Sequence, residues 1–234
     1  MAVGRLGTVE KAMRVLTAIS ERQPVTVTGL ARALDIDKSA VQRTVVTLRD
    51  AGWLRQDPAS SAWSLDAQAL VVGRRFAGGL LDRARPHLEA LARSTGETVT
   101  LWVVRGPSFV AVDSVDSEHA LRIVVPVGLH APLSTGAGAA AFLDADAQKF
   151  LGDDLPAPAE LDAIRSRGYY LTTGGSPGTI AIGAPVYPPQ AGTAALGTVL
   201  ITAPTSRVTP SELRARAPEL LRTAAAISGR FAGS

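Results

Sequence analysis

The chain contains no cysteine, which excludes disulfides, thiol nucleophiles and cysteine-ligated metals. It has no run of about 18 apolar residues, so no membrane-spanning helix is expected. Its opening, MAVGRLGTVEKAMRVL, spaces acids and bases as a helix does. That opening lacks the basic, apolar and small-residue order of a secretory signal, and a cytoplasmic location is the expectation. Histidine is scarce: only His87, His119 and His130. His119 lies in DSEH near Asp113, Asp116 and Glu118, but the spacing matches no metal motif and a solvated acidic loop is expected instead. Ser134 follows His130 by four residues, without a Gly-x-Ser-x-Gly elbow or a third orienting group. No phosphate-binding loop or dinucleotide fingerprint occurs. No cofactor, no metal and no enzymatic activity are expected.

Apolar material is plentiful. The 234 residues are 46% hydrophobic and 19% charged, enough for two modest domains or one large one. Charge is unevenly spread within the net +3. Residues 1–78 hold 11 Lys+Arg against 7 Asp+Glu, and the rest holds 13 against 14. The N-terminal excess is mostly arginine. This fits a nucleic-acid-binding module joined to a neutral one.

The N-terminal third carries helical periodicity. Val9, Ala12, Met13, Leu16 and Ile19 predict one apolar helix face, ending near Gln23-Pro24. Thr26 can cap a second short helix whose apolar side is Leu30, Ala31 and Leu34, and Asp35-Ile36 is the turn. Asp37 caps a third helix that turns Val41, Val45 and Leu48 inward and leaves Ser39, Arg43 and Val46 opposite, with Gln42 on the flank. Gly52 ends it, and Trp53–Arg55 and Ala62–Leu65 read as two short strands. Three helices and a hairpin make a winged helix-turn-helix over residues 1–65. The alternative is a small helical domain with a solvated charged face. On the first reading, Arg43 can pair with guanine and Gln42 with adenine. Thr26 at the start of helix 2, with Thr28, Lys38 and Ser39, would contact phosphates, and Arg55 would meet backbone or minor groove at the wing.

Residues 66–85 read as a connector helix, interrupted at Gly78-Gly79 by a hinge or a loop. From 86 onward, strands outnumber helices. TVTLWVV, SFVAVDSV, LRIVVPVG, TIAIGAPVY and GTVLITAP are strand-like. PHLEALARS is helical, STGAGAAAFL runs into a helix, LDAIRSRG is a helix ending in glycine, and SELRARAPELLRTAAAISGRF is a helix that Pro218 kinks or divides. The class is α+β with a mostly antiparallel sheet.

TVEKAMRVLTAI followed by VTVTGLARALDIDKSAVQRTVVTLRDAGWL resembles the DNA-binding domain of IclR-type bacterial transcriptional regulators. LRIVVPVGLHAPL, IRSRGYYL and PGTIAIGAPVY resemble that family's C-terminal motifs, so the likeness spans nearly the whole chain. Two departures stand in the N-terminal part. Gly29 replaces an acidic residue of a capping box, at about 1 kcal/mol each for the lost bond and for glycine in a helix. Ser60-Ser61-Ala62 replaces a glycine-containing wing tip.

The resemblance implies a GAF-like domain over residues 86–234 that binds a small-molecule effector and takes part in oligomerisation. It points to Gly136, Ala137 and Gly138 as a glycine loop that could present backbone N–H groups to a carboxylate. Tight helix–sheet packing is the alternative use of those small residues. Ile123, Leu133, Thr172, Ala181 and Thr202 are the remaining effector candidates. Against the family's pattern a lysine is Ala139 or Ala140 here, acids are Thr172 and Gly175, a cysteine is Ala181 and a serine is Thr202, so two polar anchors are lost or weakened. A larger, less polar effector with one carboxylate is therefore expected. The protein is expected to be a dimer or tetramer that binds double-stranded operator DNA, with coupling through residues 66–85 and no membrane partner. The competing reading is a metabolite-binding or catalytic GAF-like protein whose helical third serves dimerisation.

Overall fold

The computed structural model describes residues 6–75, 79–173, 175–188 and 194–229. The chain divides between residues 76 and 77 into two compact units.

In the first unit, α1 (Gly7–Arg22), α2 (Val27–Leu34) and α3 (Lys38–Asp50) are followed by the strands β1 (Leu54–Gln56) and β2 (Trp63–Leu65) and by α4 (Ala67–Arg74). Local chemistry sets the boundaries. The Thr26 hydroxyl accepts from the Gly29 N–H at 3.2 Å, and the Asp37 carboxylate accepts from the Ala40 N–H at 3.0 Å. Asp35 turns the chain between α2 and α3 in a left-handed conformation (φ 51°), which its short polar side chain tolerates. Leu54 pairs with Leu65 and Gln56 with Trp63 in an antiparallel hairpin. Val15, Ile19, Leu30, Val41, Val45, Leu54 and Trp63 form the core.

The buried stripe of α1 differs from the expected one. Val15, Ala18 and Ile19 face inward, whereas Val9 and Met13 are each 52% exposed. Two overlapping stripes with i, i+3, i+4 spacing share Ile19, and packing against α2 and α3 selects the second. Helix α4 buries no side chain among the described residues; Leu70 is 61% exposed. The expected break at Gly78-Gly79 falls partly outside the described residues, while Gly79 adopts φ 78° at the start of the next helix.

That helix, α5 (Leu80–Thr95), runs unbroken through Pro86, so the connector expected to end at residue 85 has no helix boundary there. Burial of Leu80, Ala84, Leu88, Leu91 and Ala92 on one face outweighs the bond that proline removes. Six antiparallel strands follow: β3 (Thr98–Arg105), β4 (Ser108–Val115), β5 (His130–Pro132), β6 (Tyr170–Thr172), β7 (Thr179–Val186) and β8 (Gly197–Pro204), in the spatial order β5-β4-β3-β8-β7-β6. Between β5 and β6 lie a 3₁₀ segment (Leu133–Phe142), α6 (Ala145–Gln148), a second 3₁₀ segment (Lys149–Asp154) and α7 (Pro158–Arg167). Two helices close the chain, α8 (Pro210–Ala215) and α9 (Ala217–Ile227), divided beside Pro218 as expected.

The sheet separates two cores. Val99, Leu101, Ile180, Ile182, Val199 and Ile201 pack against α5 and α9. Trp102, Phe109, Ala111 and Tyr170 pack on the other side with the first 3₁₀ segment and α7. Period-2 alternation thus gives one face β-branched aliphatics and leaves the other for threonine, glycine and aromatics.

Two expected elements take other forms. LRIVVPVG is not a strand. Side chains hold its first half, the Thr98 hydroxyl donating to the Ile123 carbonyl at 2.6 Å and Arg207 to the Leu121 carbonyl at 2.5 Å, and at its end the Gly128 N–H donates to the Ala111 carbonyl at 2.8 Å. Pro126 has no N–H to give a ladder, and Gly128 turns the chain at φ 91°. STGAGAAAFL forms 3₁₀ turns with a break at Gly136, not an α-helix.

Candidate functional site

On the first unit, α3 presents its outer face as the helical period requires. Lys38, Ser39, Gln42 and Arg43 are exposed, as are Thr26 and Thr28 of the second helix region and Arg55 of β1. Among the described residues, no hydrogen bond or ion pair ties down the side chains of Gln42, Arg43 or Arg55. Ser39 differs. Its hydroxyl donates to Asp37 at 2.5 Å, and that bond, followed by the Ala40 N–H, holds the Asp37 carboxyl below its ordinary pKa. Ser39 therefore completes the helix cap and must release Asp37 before it can donate to anything else. Thr26 is likewise engaged in capping α2. Lys11 and Thr8 of α1 line a groove together with Arg43 and Thr47, so a second cation stands beside Arg43. Sequence reasoning missed Lys11, because helical phase about α1 places it only once the buried stripe is known.

In the second unit, a cavity of about 150 Å³ opens on the sheet face opposite α5 and α9. Its floor follows the strand register. One rung runs Thr98–Thr202–Ala181–Thr172 across β3, β8, β7 and β6 and the next runs Thr100–Leu200–Gly183–Tyr170, of which Thr202, Ala181, Thr172, Leu200 and Tyr170 face the cavity. Phe109, Ala131 and Trp102 close one side, and Ile123, Val124, Val125 and Leu129 form another. No lysine, arginine, histidine, aspartate or glutamate is among the described residues that line it. Its polar groups are hydroxyls, several already bonded. Thr172 donates to the Thr135 carbonyl at 2.5 Å, Thr179 to the Ser176 carbonyl at 2.6 Å, and Tyr170 to Thr198 at 3.2 Å. Burial pushes the Tyr170 phenol up to about 12, so it remains a neutral donor at ordinary pH.

The wall at Ile123–Val125 is held from outside the cavity. Arg207, after β8, forks onto Glu97 with bonds of 3.1 and 2.5 Å and also donates to Leu121. The Ser117 hydroxyl donates to the Gly96 carbonyl at 2.6 Å, and the Ser117 N–H donates to Thr98 at 3.1 Å. These bonds fasten residues 117–123 to the start of β3.

Of the expected effector residues, Ile123, Gly136, Thr172, Ala181 and Thr202 line the cavity together, whereas Leu133, Ala137 and Gly138 do not. Leu133 is buried in the core, and a Cβ on Gly138 would lie 2.8 Å from Tyr170 Cβ, so packing accounts for that glycine. The expected α-helix start is also absent here. The segment forms 3₁₀ turns interrupted at Gly136, which is buried at the break. Sequence reasoning missed Trp102, Phe109, Tyr170, Thr198 and Leu200. The signal was legible in the alternation of TVTLWVV and GTVLITAP, which puts Thr98, Thr100 and Trp102, and likewise Thr198, Leu200 and Thr202, on one face. Elsewhere, Asp113 pairs with Arg85 at 2.8 Å, and no three potential metal ligands cluster among the described residues. No helix among them is long and apolar enough to cross a membrane.

Residues 8–58 match the family model described as the IclR helix-turn-helix domain, and residues 78–156 match that described as the bacterial transcriptional regulator IclR C-terminal domain. The HTH-type transcriptional regulator BhcR of Paracoccus denitrificans is 29% identical over 245 residues, covering 96% of this chain and 87% of that protein. The crystal structure of an IclR transcriptional regulator from Alicyclobacillus acidocaldarius has a TM-score of 0.77 at 24% identity, covering 97% of this chain and 99% of that one. An IclR homolog from Microbacterium hydrocarbonoxydans, crystallised with 4-hydroxybenzoate, has a TM-score of 0.74 at 17% identity, covering 97% and 100%. At these identities the two structures establish a shared fold.

Proposed function

Because the chain belongs to the IclR family of bacterial transcriptional regulators and carries their DNA-binding helix-turn-helix, we propose that α3 reads an operator and that a one-ring, weakly polar effector in the sheet-face cavity changes its operator affinity. The cavity carries the effector reading: it is apolar, threonine-floored and, among the described residues, lined by no lysine, arginine, histidine, aspartate or glutamate. An apolar space of about 150 Å³ suffices for a benzene ring. The IclR homolog with bound 4-hydroxybenzoate supports a ligand of that size. Thr202 and Ser176 would orient its polar group. A carboxylate would find only neutral donors, and a buried charge without a counter-ion is costly. A phenol or alcohol therefore fits this chain better than the carboxylate expected from its sequence.

On the DNA side, Arg43 and Gln42 reach base edges, with Thr28, Lys38, Lys11 and Arg55 on phosphates. Two copies would bind a pseudo-palindromic site in the cytoplasm, consistent with the outward apolar side chains of Val9 and Met13. A ligand acts only through its difference in affinity between the DNA-competent and incompetent states, and the coupling is reciprocal. The test is operator binding by fluorescence anisotropy, using DNA upstream of the protein's own gene, with and without p-cresol, 4-hydroxybenzoate, glyoxylate and pyruvate. Calorimetry on the same four compounds accompanies it. Saturable operator binding that p-cresol shifts is expected. No retention of that DNA, or tight glyoxylate or pyruvate binding with none of the ring compounds bound, overturns the reading.

A further inference from the structure

The ring of Tyr170 occupies an unusual place. It starts on β6, an edge strand, and its hydroxyl reaches Thr198 on β8 at 3.2 Å, so the ring crosses β7 on the way. It crosses at its register partner Gly183, where an added Cβ would come within 2.6 Å of the ring carbons. From the other side the first 3₁₀ segment approaches. A Cβ on Gly138 would lie 2.8 Å from Tyr170 Cβ, and one on Gly136 would lie 3.6 Å from the ring edge. Three positions on two elements thus carry glycine around one side chain, and two of them admit nothing larger while the ring is present. Tyr170 is 1% exposed, yet it lines the cavity beside Gly136, Ala181 and Thr198.

A ring bedded on glycine leaves a slot if it is removed, because the two walls it lies between, at Gly183 and Gly138, carry no side chain there, with Phe109 the nearest ring beyond Gly136. The slot would be continuous with the cavity, since Tyr170, Gly136 and Thr198 belong to both. We propose that Tyr170 is the specificity-determining residue of this cavity, filling the space over Gly183 and restricting the ligand to a single ring, while the hydrogen bond it donates to Thr198 takes up an acceptor site that a ligand hydroxyl could otherwise use. This rests on the effector reading of the cavity.

The test compares p-cresol with 2-naphthol by calorimetry on the full-length wild type, Tyr170→Leu and Tyr170→Phe, each checked for a cooperative melt. The wild type is expected to bind p-cresol and to give no heat with 2-naphthol. Tyr170→Leu should bind 2-naphthol at least tenfold more tightly than the wild type does. Tyr170→Phe retains the ring, so it should still reject 2-naphthol and, with Thr198 released, favour p-cresol over toluene more strongly than the wild type. Should Tyr170→Leu not fold, Tyr170→Met takes its place, since methionine adapts to irregular space. A folded Leu or Met variant with no gain for 2-naphthol, or a Phe variant that accepts it, overturns the role of Tyr170. A wild type that binds neither p-cresol nor 4-hydroxybenzoate overturns the effector reading instead, and a gain of 2-naphthol binding in the Leu variant would still stand apart from that result.

Discussion

Removing the Arg207 guanidinium should destabilise the second unit and loosen the cavity together. The side chain of Glu97 is 8% exposed and that of Arg207 26%, and the two meet in a two-pronged contact. In Arg207→Ala the Glu97 carboxylate stays buried without its partner, a change that typically costs about 3–5 kcal/mol. The Leu121 carbonyl loses its donor as well, at about 0.5–1.5 kcal/mol. Arg207 is open to water along one side, so the lower end applies and about 3 kcal/mol is expected. For a domain of this size that corresponds to a melting shift of roughly 6–12 °C. Arg207→Lys should recover only part of it, because an ammonium cannot match the carboxylate fork. Glu97→Leu combined with Arg207→Met should be far less damaging than either change alone. Urea unfolding followed by the Trp102 emission in a Trp53→Phe, Trp63→Phe background, run as a double-mutant cycle, measures this, and the coupling between the two sites should exceed about 2 kcal/mol. Ligand affinity should fall in Arg207→Ala, since Ile123 and Val125 lie just beyond Leu121. A loss below about 1 kcal/mol, or coupling near zero, would refute the argument that this pair anchors the cavity wall.

Three further outcomes follow from local geometry. Ser61 sits at φ 56° in the wing tip, where a left-handed conformation costs a non-glycine residue about 1–2 kcal/mol; Ser61→Gly should raise stability by about 0.5–1 kcal/mol after glycine's entropy, read by thermal melting. Arg43→Ala should weaken specific operator binding by roughly 1–3 kcal/mol with the fold unchanged, whereas Arg55→Ala should mainly flatten the salt dependence; unchanged operator affinity removes Arg43 from the reading set. The Tyr170 phenol titrates near 12 when folded against about 10 when unfolded, so its stability contribution is complete below pH 10 and is lost as pH rises from about 10 to 12. Absorbance at the tyrosinate band against pH should lose its latest step in Tyr170→Phe.

The N-terminal unit was legible because its elements carry local signals. Thr26 and Asp37 mark helix starts that the cap bonds realise, and Val41, Val45 and Leu48 are all buried as the period requires. The phase of α1 was not legible, since two apolar stripes share Ile19 and only the neighbouring helices choose between them. In the second unit the strands near 98–115 and 179–204 announce themselves by composition. LRIVVPVG does so too, yet it is held by Thr98 and Arg207 side chains from distant segments, which no local pattern reports.

Sequence alone determined the winged helix-turn-helix, the outward face bearing Gln42 and Arg43, the α+β class and the absence of thiol chemistry. Each depends on residue type and on spacings within one turn or one strand. The tertiary structure decided the cavity. Its floor draws on cross-strand rungs joining residues about a hundred positions apart, such as Trp102 with Thr198. Its size depends on Tyr170 lying over Gly183, a neighbour only through sheet register. The glycine loop, which the sequence offered as an anion seat, also packs against that ring, since a Cβ on Gly138 would lie 2.8 Å from Tyr170 Cβ.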